Sequence, residues 1–97
     1  MTDLERRHGE YKVPGGKLVV VDLHVSQGVL KDVHVSGDFF LEPPETLERL
    51  NAALEGQSSD ASPQVLERAL ESVLDRDVMM YGITVEGVVT AVGRALA

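Results

Sequence analysis

The sequence predicts an α+β fold: a three-stranded antiparallel sheet followed by three helices that cover one of its faces. Two patterns carry this reading. Apolar residues recur with a period of two up to about residue 41 and with a helical period beyond it. Strands that precede helices along the chain lead to a sheet with helices gathered on one side. The length of 97 residues fits one domain, 1–97, with one modest core.

Residues 1–9 read as loosely ordered, and Glu10 to Val13 as a short first strand (about 10–13). Pro14-Gly15-Gly16 is a turn, because proline fixes φ and glycine reaches positive φ. The second strand (about 17–25) puts Val19, Val21, Leu23 and Val25 on one face, and Leu18, Val20, Asp22 and His24 on the other. Ser26-Gln27-Gly28 is a turn signal. The third strand (about 29–36) alternates with Val29, Val33 and Val35 on its apolar face. A three-residue turn at 26–28 pairs Val25 with Val29, Val21 with Val33, and Val19 with Val35, so the apolar faces coincide. A two-residue turn sets Leu23 opposite Asp32 and sends one strand's apolar set to water. The first register is therefore expected. Its cost is Asp22 opposite Asp32, a like-charge pair that Lys12 on the neighbouring strand would relieve.

The first helix (about 43–55) opens at Pro43-Pro44, where proline suits the initial turn. Leu47, Leu50, Ala53 and Leu54 form its stripe, and Gly56 stops it. Ser62 caps the second helix (about 62–75), with Pro63 at its first position and Val65, Leu66, Ala69, Leu70, Val73 and Leu74 in its stripe. Asp75 to Asp77 is a charged break. Val78-Met79-Met80-Tyr81 is apolar and fits either kind of element. Thr84 caps the third helix (about 84–96), whose stripe is Val85, Val88, Val89, Val92 and Leu96.

Composition removes several classes of function. There is no cysteine, which excludes disulfides, thiolate catalysis, cysteine-ligated zinc and cysteine-held clusters. The net charge of −7 argues against nucleic acid and against anionic membranes. Residues 1–41 carry six acids and five bases, whereas 42–97 carry ten acids and four bases. If the chain touches an anionic ligand, the first part, where all three lysines lie, is the expected place. No apolar run is long enough to span a bilayer, and the charged start lacks a signal-peptide core. The expected location is the cytoplasm.

Three groups of residues could carry function. His24 and His34 share the outer sheet face with Asp22 and Asp32, a set compatible with a first-row metal but equally with a solvated face, the reading adopted, with no metal. No serine sits in a nucleophile elbow, and no catalytic residue is assigned. Pro14-Gly15-Gly16-Lys17 lacks the spacing of a phosphate loop, yet Lys17 could reach an anion on a docked partner. The stretch Ser36-Gly37-Asp38-Phe39-Phe40-Leu41 holds both phenylalanines of the chain. On an extended segment adjacent side chains diverge, so one Phe can plug the core while the other projects outward as an anchor. The competing readings are that both lie in the core, or that one forms the apolar contact at the helix entry.

Three stretches resemble the small C-terminal domain of lipoate–protein ligases, which in some prokaryotes is a separate accessory subunit. They are Gly9-Glu-Tyr-Lys-Val-Pro-Gly-Gly-Lys-Leu-Val, Ser36-Gly-Asp-Phe-Phe-Leu-Glu-Pro-Pro-Glu, and Leu50-Asn-Ala-Ala-Leu-Glu-Gly. Tyr81-Gly82-Ile83-Thr84 to Leu96 is similar to its last helix. The resemblance implies a subunit that docks on a catalytic ligase subunit and enables ATP-dependent activation of lipoate to lipoyl-adenylate. It implies ATP, magnesium and lipoate in the complex, no cofactor bound by this chain alone, and lipoyl carrier domains as indirect partners. Gly37, Asp38, Phe39 and Phe40 are the expected partner-binding or hinge residues, with capping of the turn as the alternative role of Asp38, and Lys17 is the expected phosphate contact. With Met1 at its head, the chain is expected to be a whole subunit. The alternative is a non-catalytic assembly module on the same scaffold with another protein partner.

Overall fold

A computed structural model describes residues 5–97. Strands β1 (Glu5–Lys12), β2 (Leu18–Ser26) and β3 (Val29–Gly37) form an antiparallel sheet in the order β1-β2-β3. A short ribbon pairs β4 (Phe40–Glu42) with β5 (Met79–Tyr81). The helices are α1 (Thr46–Leu54), α2 (Pro63–Glu71) and α3 (Val85–Leu96). They lie on one sheet face, as expected: α3 packs on β1 and β2, α1 packs on β3, and α2 bridges the two helices. The core joins Val19, Val21 and Leu23 of β2 and Leu30, Val33 and Val35 of β3 to the apolar stripes of the three helices.

The first strand begins at Glu5, not at residue 10; of the segment expected to be loosely ordered, residues 1–4 lie outside the described residues. The pattern hid this strand because its inner face is not apolar. Arg7, Gly9 and Tyr11 pair with Leu23, Val21 and Val19 and meet α3. The Arg7 guanidinium donates to the Leu96 carbonyl oxygen at 3.3 Å. Gly9 is buried where the α3 backbone passes. The Arg94 guanidinium stacks 5.0 Å from the centroid of the Tyr11 ring.

The β2–β3 register also differs from the expected one. Ser26 pairs with Val29 across a two-residue turn in which Gln27 and Gly28 both have positive φ, 54° and 78°, the geometry of a type I′ turn. Leu30 pairs with Val25 and faces the core, and Val29 does not. A bulge then restores the apolar face. Asp32 and Val33 together oppose Leu23, and Asp32 takes φ 51°, a left-handed conformation that aspartate tolerates. Val33 and Val35 therefore return to the core side. Asp22 lies opposite His34 and beside His8, so the expected clash with Asp32 does not arise, and Lys12 pairs with Leu18 instead.

The bulge is held from outside the hairpin. Both Glu55 carboxylate oxygens accept main-chain bonds, from Asp32 at 3.2 Å and from Val33 at 2.5 Å. Asn51 accepts from the Val35 N–H at 2.9 Å. These side chains stand at the end of α1, and the Gly56 N–H donates to the Leu30 carbonyl at 2.8 Å. Gly56 thus stops α1 and ties it to β3.

Two helix bounds shift. Helix α1 starts at Thr46 rather than 43, because Pro43 and Pro44 form a turn whose carbonyls accept from Thr46 and Leu47. Helix α2 ends at Glu71 rather than 75. There the Ser72 hydroxyl donates to the Ala69 carbonyl at 2.7 Å, and Val73 and Leu74 close tighter three-residue bonds. The caps fall where expected: Ser62 accepts from the Val65 N–H at 3.3 Å and Thr84 from the Gly87 N–H at 2.9 Å.

Candidate functional site

The expected site residues gather at one end of the molecule. Gly37 closes β3, opposite Val19. At φ 148° a Cβ there would overlap the Leu18 carbonyl oxygen, so only glycine lets the chain leave the sheet this closely. The Asp38 N–H donates to that carbonyl at 3.3 Å. Its carboxylate is exposed and meets no hydrogen-bond partner among the described residues. The two phenylalanines then diverge. Phe39 packs against the core, while Phe40 is 73% exposed.

The ribbon sets the direction of Phe40. Phe40 is opposite Tyr81, Leu41 opposite Met80, and Glu42 opposite Met79. Paired residues share a face. Leu41 and Met80 point into the core. Phe40, Glu42, Met79 and Tyr81 form the outer face, with Met79 49% and Tyr81 45% exposed. A groove of about 230 Å³ beside Phe40 is lined by Phe39, Phe40, Leu41, Pro44 and Leu47. Sequence reading missed Met79 and Tyr81. Their signal was the apolar run 78–81 before Gly82, which has no period to interpret.

Lys17 belongs to the same end. Its N–H donates to the Gly82 carbonyl at 2.9 Å, just after β5, and its carbonyl accepts from Val13 at 3.0 Å. A Cβ on Gly82 would press on the Lys17 side chain and sit 3.6 Å from the Phe39 Cβ. The Lys17 side chain is exposed and forms no ion pair among the described residues. Lys17, Gly37, Phe39, Phe40, Tyr81 and Gly82 are therefore neighbours, drawn from three separate stretches of chain.

The outer sheet face carries a second cluster. Arg6, Asp22, Leu23, His24, Asp32 and His34 line a shallow groove of about 250 Å³. His24 Nδ1 lies 3.3 Å from Asp32. Among the described residues, no group of three or more His, Cys, Asp or Glu is placed to hold a metal ion. His8 sits between two carboxylates, with Nε2 2.7 Å from Glu10 and Nδ1 2.7 Å from Asp22. These hydrogen bonds, Glu10 first and Asp22 second, raise its pKa above the ordinary 6.5. A raised folded-state value adds stability that is complete below pH 6.5 and disappears as pH rises through the folded value. The melting temperature of the wild type should therefore fall more steeply across that window than that of His8→Gln. Parallel profiles would show that the imidazolium is not held there.

Comparison with known proteins assigns this α+β domain to a family of lipoate–protein ligase C-terminal domains. The chain belongs to the family described as bacterial lipoate protein ligase C-terminus, whose profile matches residues 7–91. It is 31% identical over 71 residues to lipoate-protein ligase A subunit 2 of Thermoplasma acidophilum, a match covering 73% of this chain and 66% of that protein. The matched region thus spans just under two-thirds of the relative. A solved chain from the same organism superposes with a TM-score of 0.68 at 25% identity, covering 95% of this chain and 97% of that one. That structure is of an archaeal lipoylation system, a bi-partite lipoate protein ligase and its E2 lipoyl domain. Among the described residues no helix is long and apolar enough to cross a membrane.

Proposed function

We propose that this chain is the accessory subunit of a two-part lipoate–protein ligase, which docks on a catalytic subunit and enables ATP-dependent activation of lipoate to lipoyl-adenylate. The reading is carried by the likeness along almost the whole chain to a solved chain of that bi-partite ligase system, together with the 31% identity to a ligase subunit 2. On this reading the chain is not an enzyme alone. ATP, magnesium and lipoate belong to the complex, lipoyl carrier domains are served indirectly, and the setting is the cytoplasm. The subunit closes one side of the adenylation site and keeps water from the activated acyl group. Lys17, exposed and without an ion pair among the described residues, supplies positive charge toward the nucleotide phosphates.

The test follows lipoyl-adenylate formation by the catalytic ligase subunit of the same organism, with lipoate, ATP and magnesium, with and without this chain. Product is expected only when both are present; equal formation by the catalytic subunit alone would overturn the reading. Lys17→Ala should bind the partner as tightly as wild type but slow adenylation by about 10-fold or more, the scale of one charged hydrogen bond. Undiminished adenylation by Lys17→Ala would remove this lysine from the phosphates and leave the subunit's role intact.

A further inference from the structure

The outer face of the β4–β5 ribbon is the least satisfied surface of the described residues. Four large apolar side chains are conspicuously exposed: Phe40, Val65, Met79 and Tyr81. Three of them share this one small face, by the pairing of Phe40 with Tyr81 and of Glu42 with Met79. Nothing in the fold requires them. The ribbon is already fixed by its other face, where Leu41 and Met80 enter the core. An aromatic pair costs solvation when left in water, and such clusters mark interaction sites. The neighbouring groove is large enough to receive an aliphatic side chain from a partner.

Charge specifies the partner further. Glu42 lies on the strip itself, and Asp38 and Asp77 flank its two strands, all exposed. The chain as a whole carries −7. Against Lys17 at the adjoining edge and Arg76 beside Asp77, the three acids still leave this rim net negative, so association favours a basic partner surface. We propose that Phe40, Met79 and Tyr81 form the surface by which this chain docks on its catalytic ligase subunit, against an apolar recess rimmed by Lys or Arg. This rests on the accessory-subunit reading. The three side chains supply a central anchor, since aromatic residues dominate the few contacts that set affinity. Lys17 lies at the adjoining edge, so docking of the strip brings that cation to the partner as well.

The dissociation constant of the complex with the catalytic subunit tests this directly. Phe40→Glu should weaken binding by about 100-fold or more, with its melting temperature and circular dichroism unchanged, because Phe40 is outside the core. Tyr81→Ser should weaken it by about 10-fold. Val65→Ser removes an equally exposed apolar residue on α2 and should leave binding unchanged. Glu42→Lys should slow association, more so at low salt. If wild type stimulates the ligase and Phe40→Glu binds and stimulates equally well, the docking surface is elsewhere and the proposal fails while the accessory-subunit reading stands. If wild type neither binds nor stimulates, that reading itself fails. Sedimentation of the chain alone covers the other occupant: a wild-type dimer that Phe40→Glu dissociates, with ligase binding unaffected, would make the strip a contact between copies and overturn the proposal.

Discussion

Gly9→Ala is expected to lower the stability of the protein by about 3 kcal/mol, near the upper end of ordinary overpacking costs. Gly9 sits in β1 where α3 crosses the sheet. A Cβ there would overlap the Ala91 carbonyl oxygen and the Ala95 amide nitrogen and stand 3.0 Å from the Ala95 Cα. All three are backbone atoms, so no rotamer change makes room; the helix must lift from the sheet. Lifting α3 also loosens Val88, Ala91, Val92 and Ala95, which fill the core from that helix. Domains of this size lose roughly 4–8 °C of melting temperature per kcal/mol, so a fall of more than about 10 °C should be seen. Gly93→Ala is the matching control, since nothing lies within 4 Å of a Cβ at that position. In a helix that substitution should stabilise, by up to about 1 kcal/mol. Equal melting of Gly9→Ala and wild type would refute the close contact between β1 and α3.

Leu30→Ala should cost about 3 kcal/mol, within the range for buried leucines, and Val29→Ala less than about 1 kcal/mol. The hairpin register decides between them. Leu30 is 0% exposed, and Val29 is only half-buried. A three-residue turn would reverse the order, with Val29 inside. Urea denaturation of the two variants separates the registers without further structural work. A larger loss at Val29 than at Leu30 would contradict the two-residue turn and the bulge together.

Much of the fold is legible from local chemistry. The face of β2 follows from its alternating valines, and the helix starts from Ser62, Pro63 and Thr84. What was not legible depends on partners distant in sequence. The start of β1 has no apolar period, because Arg7, Gly9 and Tyr11 meet a helix some eighty residues later, as the Arg7–Leu96 bond shows. The register of β2 and β3 looked incompatible with a two-residue turn because the bulge at Asp32 is secured by Glu55, a residue outside both strands. The ribbon β4–β5 has three residues per strand, too few to show alternation. The site follows the same division. Gly37 to Phe40 stood out as a glycine turn and the sole phenylalanine pair. Met79 and Tyr81 became part of it only when β5 was laid beside β4.

The outer edge of β3 has a consequence for life in a crowded cell. Asn51 and Glu55 occupy the main-chain donors of Asp32, Val33 and Val35 along that edge. Unsatisfied edge donors are templates on which further strands grow into aggregates. On the other flank the Arg94 guanidinium reaches the Glu10 carbonyl of β1 at 3.1 Å. The β3 margin of the main sheet is guarded by α1 against strand-by-strand growth. The chain can leave greasy side chains uncovered on the small ribbon without offering the β3 edge beside it as a template.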